Sequence, residues 1–154
     1  MTSYCTMVRL GLCCTFLDVP IRFRTTTARH ASTLRARERA RLFNDLALHN
    51  AAALIEAIGW CAEHGIGAFR ITSSFLPLFT HPDVGWKLTD AAGSGVVVAL
   101  RVADATRRAA DVRLSFHPDQ FVVPGSAKPA VVDASLAELE YMAEVAELIG
   151  AEQM

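Results

Sequence analysis

Short apolar runs alternate with longer amphipathic stretches along most of this chain, and the alternation predicts its elements. Val8–Cys14 is a brief, mostly apolar run with the character of a buried strand. Thr25–Thr33 is polar and reads as a loop. From Leu34 to His64 the residues favour helix, with Leu54, Ile58 and Cys61 on one face at i, i+4, i+7; a break near Asn50 divides the stretch into two helices, and Gly65 stops the second. Ala68–Ser73 is the second strand, and Pro77 and Pro82 mark an irregular loop after it. Ser94 caps a third helical stretch, Val96–Ala110, with Val96, Leu100 and Ala103 in register. Val112–Phe116 is the third strand and runs into His117-Pro118. After a turn-rich loop from Pro124 to Pro129, Val131–Ile149 is an amphipathic helix with Leu136, Leu139, Ala143, Ala146 and Ile149 inward, stopped by Gly150.

Strand–helix units in series imply a parallel sheet, because each helix is the right-handed crossover to the next strand. The fold class is therefore α/β, with about three βα units, as at the start of a doubly wound sheet or a (β/α)8 TIM barrel. No GxGxxG follows the first strand, which counts against a dinucleotide fold. Ala91–Val98 lacks the GK[ST] of a phosphate loop, so no nucleotide cofactor is expected.

Composition narrows the class further. Hydrophobic residues make up 52% of the 154 and charged residues 20%, which describes a chain with a core to bury. No run approaches the ~18 apolar residues of a membrane span. The first residues lack the basic flank and apolar run of a secretory signal. Residues 1–6 have no periodicity and are expected to be a disordered extension, with the domain running over residues 7–154. Of four cysteines, Cys13, Cys14 and Cys61 lie in apolar surroundings and none forms CxxC, so buried reduced thiols in a cytoplasmic protein are expected.

The net charge of −1 leaves any nucleic-acid contact to a local patch. One candidate exists: seven arginines stand between Arg22 and Arg41 against a single acid, Glu38. Otherwise the chemistry is sought at the carboxyl ends of the strands, where parallel folds place their ligands. Two segments there set a histidine before a proline, Thr80-His81-Pro82 and Phe116-His117-Pro118. The proline biases the histidine toward extended backbone, which helps aim the ring. Two imidazoles at neighbouring strand ends suit a shared divalent metal, with Asp83 and Asp119 nearby; a loop residue and a hydrogen-bonded histidine are the plainer alternative. The Gln120-Phe121 pair reads either as a DNA probe, with the ring wedged between bases, or as the start of an apolar FVV core run.

VRLGLCC, the stretch from Leu46 through FRITSSFLPLFTHP, VRLSFHPDQFVV and the Val131–Glu152 helix together resemble the UV-damage endonucleases over about Val8–Glu152. The resemblance implies a (β/α)-barrel that nicks double-stranded DNA immediately 5′ to UV photoproducts, leaving a 3′-hydroxyl and a 5′-phosphate. It implies a cluster of divalent metals, most often Mn2+, with His81 and His117 among the ligands. It makes Gln120 and Phe121 the residues inserted at the lesion. Where the family often carries a tyrosine and an asparagine near the lesion, this chain has Leu12 and Phe16; Arg22, Arg24 and the Thr25–Thr27 run are the replacement candidates for backbone contacts. The family's other histidines and acids lie on later strands, the next expected just after Gly150. This chain is thus expected to be a fragment that does not cut DNA alone. Two other readings share the fold: a sugar-isomerase-like barrel, and a DNA-binding module without catalysis. A probe has to be exposed, whereas a sugar pocket would bury Gln120 and Phe121.

Overall fold

A computed structural model describes residues 8–90 and 95–152. The proposed extension at residues 1–6, Cys5 and the Ser94 cap lie outside the described residues. The elements run β1 (Gly11–Cys13), α1 (Ala28–Thr33), α2 (Ala36–Glu63), β2 (Ala68–Ile71), α3 (Val96–Ala109), β3 (Arg113–Phe116) and α4 (Pro129–Ile149). The strands form one parallel sheet in the order β1-β2-β3. This is the expected α/β arrangement of three βα units.

Side chains alternate across each strand, so register sorts them into two faces. Leu12, Phe69 and Leu114 are in register, as are Ile71 and Phe116, and this face is packed into the core with the helices. The other face carries the rows Gly11–Ala68–Arg113 and Cys13–Arg70–Ser115. Cys13 is therefore exposed and Cys14 half-buried; of the three described cysteines only Cys61 is buried as expected. The apolar neighbours of Cys13 in sequence point to the opposite side of the pleat, which a composition-based reading does not separate. Burial pushes the Cys61 thiol up to about 11. Burial also raises Cys14 to about 11, helped by the hydrogen bond and charge of Cys13. With thiolate as the reactive form, a Cys5→Ser chain at pH 8 should show one fast thiol, Cys13, to a disulfide reagent. Rapid labelling of Cys61 without denaturant would contradict this packing.

Three helical expectations need correction. No break divides α2, which runs unbroken for 28 residues. Its buried stripe of Phe43, Ala47, Asn50, Leu54, Ile58 and Cys61 continues straight through Asn50, whose amide is satisfied by partners elsewhere in the fold. The Thr25–Thr33 loop contains α1, because the Thr27 hydroxyl accepts from the His30 amide and nucleates a turn. On α4 the buried residues are Ser135, Tyr141, Met142, Val145 and Ile149, while Leu136 stays 47% exposed. Apolar residues surround α4 on most sides, so spacing alone could not choose the inward stripe. The helix stops hold: Gly65 has φ +69, and the amides of Gly65 and Ile66 close on the Ala62 and Cys61 carbonyls.

Candidate nucleic-acid interface

The loops that leave the carboxyl ends of the three strands meet above the sheet. After β1, the chain turns at Cys14 and buries Phe16 against Phe69 and Trp60. The Arg22 guanidinium holds this loop closed: Nη1 donates to the carbonyls of Phe16 and Val19 at 2.7 Å each and of Ile21 at 2.9 Å. Arg22 is thus exposed but has its donors turned onto its own loop. Arg24 is exposed at the loop's end, with its backbone amide and carbonyl both held by Asn50. Leu12 is half-buried and Phe16 fully so, and both are packing residues.

After β2, Phe75 and Leu76 plunge into the core. The Tyr141 hydroxyl, from α4, accepts the Leu76 amide at 2.9 Å and donates to the Ser73 carbonyl at 3.3 Å. Thr80 donates to Glu138 of the same helix at 2.7 Å. Trp86 stacks on Phe43 and donates to the Pro77 carbonyl at 3.0 Å. Gly85 closes the turn around His81: its amide donates to the His81 carbonyl at 2.8 Å, and a Cβ there would lie 2.5 Å from that oxygen. The loop is therefore a rigid mount for His81.

After β3, His117 is exposed. Asp119 then makes a tight turn, its Oδ1 accepting the Phe121 amide at 3.0 Å and its carbonyl accepting the Val122 amide at 3.0 Å. Beyond the turn, the Val123 amide donates to Ser135 of α4 at 2.8 Å. Held at both ends, the segment projects Gln120 and Phe121 outward, and Phe121 is 76% exposed. His81, Asp119, Phe121, Glu138 and Tyr141 line one open groove of about 450 Å3; His117 is not among its walls.

The histidine pair does not make a metal centre on its own. Among the described residues no three of His, Cys, Asp or Glu are grouped to hold an ion. His81 Nδ1 accepts the Asp83 amide at 3.2 Å, which leaves the neutral ring's proton on Nε2. Binding through Nε2 would require moving that proton, and binding through Nδ1 would require breaking the amide contact. The residues present do not complete a site, and no hydrolytic step follows from them.

A family model described as UV-endonuclease UvdE matches residues 8–154. The chain belongs to the UvdE family. A UV DNA damage endonuclease from Deinococcus radiodurans is 33% identical over 159 residues, covering 97% of this chain and 49% of its own. One from Nostoc sp. is 30% identical, covering 92% of this chain and 43% of the relative. A crystal structure of SacUVDE superposes with a TM-score of 0.78 at 27% identity, over 96% of this chain and 47% of that one. The UvdE-family chain therefore has the fold of part of a (β/α) barrel, and it spans about half the length of the relatives it matches.

Several residues that build these loops carry no functional reading from the sequence alone. Asn50 had a signal, as a polar residue on an otherwise apolar helical stripe. Tyr141 and Glu138 had none beyond their place on α4. Arg70, exposed between Cys13 and Ser115 on the sheet's free face, becomes visible only with the register. No helix among the described residues is long and apolar enough to cross a membrane.

Proposed function

We propose that this chain is the damage-probing part of an endonuclease that nicks double-stranded DNA 5′ to UV photoproducts, leaving a 3′-hydroxyl and a 5′-phosphate. The observation that carries the reading is the Asp119 turn, which presents Gln120 and a 76% exposed Phe121 at the rim of the groove. A single exposed apolar side chain is ordinary at a protein surface, so the bracing of the turn, more than the exposure, is what sets Phe121 apart. A ring on a braced turn suits insertion between bases, where the unstacking cost is least at a damaged step. The same exposure disfavours the sugar-isomerase reading, in which the pair would line a closed pocket. In the proposal His81 and His117 supply two imidazoles to a divalent-metal cluster, Mn2+ foremost, with the other ligands coming from outside the described residues. Such metals, when bound, supply an activated water and stabilise the departing oxygen. This chain's own part is to hold the histidines and the probe.

A DNA-binding role without cutting is the second reading, favoured by the absence of a grouped metal-ligand set among the described residues. Both are tested together. The chain should bind an irradiated duplex more tightly than the same duplex unirradiated, and should leave irradiated plasmid intact in Mn2+. Equal affinity for the two duplexes would remove the basis for the damage-probing role. Clean nicking by this chain would show that the metal site is complete after all.

A further inference from the structure

We infer that the arginine face formed by α1 and the start of α2 is a clamp for the phosphate backbone of duplex DNA, on the same end of the sheet as Phe121. The inference rests on the DNA-binding reading above and adds a second contact surface to it.

Charge is the first argument. Arg22–Arg41 carries seven of the chain's 15 basic residues and one of its 16 acidic ones, so the rest of the chain has a net charge of −7. Arg29, Arg35, Arg37 and Arg41 are exposed. The one acid among them, Glu38, accepts the Arg35 amide at 3.0 Å. The ion pairs found among the described residues fall on Arg9, Arg107, Arg108 and Arg113 instead. Position makes the concentration of charge costly. Arg35 is the N-cap of α2, and Arg37, Arg39 and Arg41 follow in its opening turns. Arg35 and Arg37 stand at the cap and in the first turn, the positive end of the helix dipole, where cations are disfavoured and anions welcome. An anionic partner resolves the conflict.

Placement says which anion. α2 crosses from β1 to β2, so it runs antiparallel to the strands and begins on the side of their carboxyl ends. Asn50 already bonds to Phe75, beyond the end of β2. Ala36 precedes Asn50 by 14 residues, about 21 Å along a helix. The first half of α2 therefore reaches past the strand tips, with Phe43 stacked on Trp86 tying it to the β2–α3 loop. Its arginines stand on the same end of the molecule as Phe121. On the α4 side, the neighbouring groove is walled by four acids, Asp83, Asp90, Glu140 and Glu144, against Lys87 and His81. A polyanion whose bases reach Phe121 is thus repelled on one flank and attracted on the other.

The test is the salt dependence of binding to an unirradiated duplex by the 154-residue chain. Each phosphate contact contributes about 0.9 to the slope of log affinity against log salt. Replacing Arg29, Arg37 and Arg41 together with glutamine should lower that slope by about two to three. Arg101→Gln, on exposed α3, should leave it within about half a unit. The triple variant should melt no lower than the parent, because all three side chains are exposed and one of them, Arg37, leaves the positive end of the α2 dipole; the paired readout separates a contact role from a folding role. It should keep the parent's ratio of irradiated to unirradiated affinity. An unchanged slope overturns the clamp while the lesion preference stands. A lost slope without any lesion preference in the parent supports the clamp and rejects the damage-probing role. Tighter binding of the parent to anionic vesicles than to duplex, at equal salt, overturns DNA as the partner.

Discussion

Asn50→Ala should destabilise the fold by about 3–6 kcal/mol, a large share of the 5–15 kcal/mol typical of a domain. The side chain is fully buried and makes three hydrogen bonds to backbone groups of two different loops. Its Oδ1 accepts the Arg24 amide at 2.7 Å, and its Nδ2 donates to the carbonyls of Arg24 at 2.9 Å and Phe75 at 2.7 Å. Alanine leaves all three without a partner, at roughly 1–3 kcal/mol each, and the sum is held down because the Arg24 groups are only part-buried. Asn50→Asp keeps the acceptor for Arg24 but sets a carboxylate against two carbonyls, so it should fare no better. His49→Ala, next door, removes a single exposed contact to the Arg22 carbonyl and should cost about 1 kcal/mol or less. Urea unfolding decides: the midpoint should fall sharply for Asn50→Ala with little change in slope. A loss under about 1 kcal/mol would mean that the Asn50 amide is not what joins the loops. Because Asn50 ties the β1 loop to the β2 loop, a surviving population should also lose order at the tips.

The contrast between Asn50 and Gly65 explains how much was legible in advance. Gly65 ends α2 through its own backbone freedom, a local property written in one residue, and Gly150 ends α4 in the same way. The three strand–helix units are also local, since each apolar run and each helical stripe repeats within a few residues. Asn50 looks like a break in the sequence because its partners lie 25 and 26 residues away, and a polar residue is tolerated in a buried stripe only when such partners exist. The inward face of α4 depended likewise on Tyr141 reaching Leu76, 65 residues earlier in the chain. At the site, the histidine–proline pairs marked the loops that leave the carboxyl ends of β2 and β3. They could not reveal that Asp83 occupies His81 Nδ1, or that Arg22 would fold back onto its own carbonyls. Only the family resemblance singles out Gln120 and Phe121 as candidate lesion contacts; the apolar FVV run by itself points to the core, and the structure leaves Phe121 exposed.

Phe121→Ala should lower the preference for irradiated over unirradiated duplex by about 5- to 150-fold, the equivalent of the 1–3 kcal/mol that an aromatic ring gains by stacking on a base. Affinity for unirradiated duplex should barely change, because an intact stack resists the wedge. Stability should shift by less than about 0.5 kcal/mol, since the ring is 76% exposed and supports little of the core. Phe121→Trp should retain the preference, having a larger face of the same kind. Asp119→Ala leaves the ring in place but removes the acceptor that holds the Phe121 amide, so the probe is no longer braced. It should fall between the parent and Phe121→Ala, and the loss should appear as a slower association, because the turn must be formed on binding. Two results would defeat the assignment. One is an unchanged preference in Phe121→Ala. The other is an equal loss on both duplexes, which would make the ring a general contact that does not recognise damage.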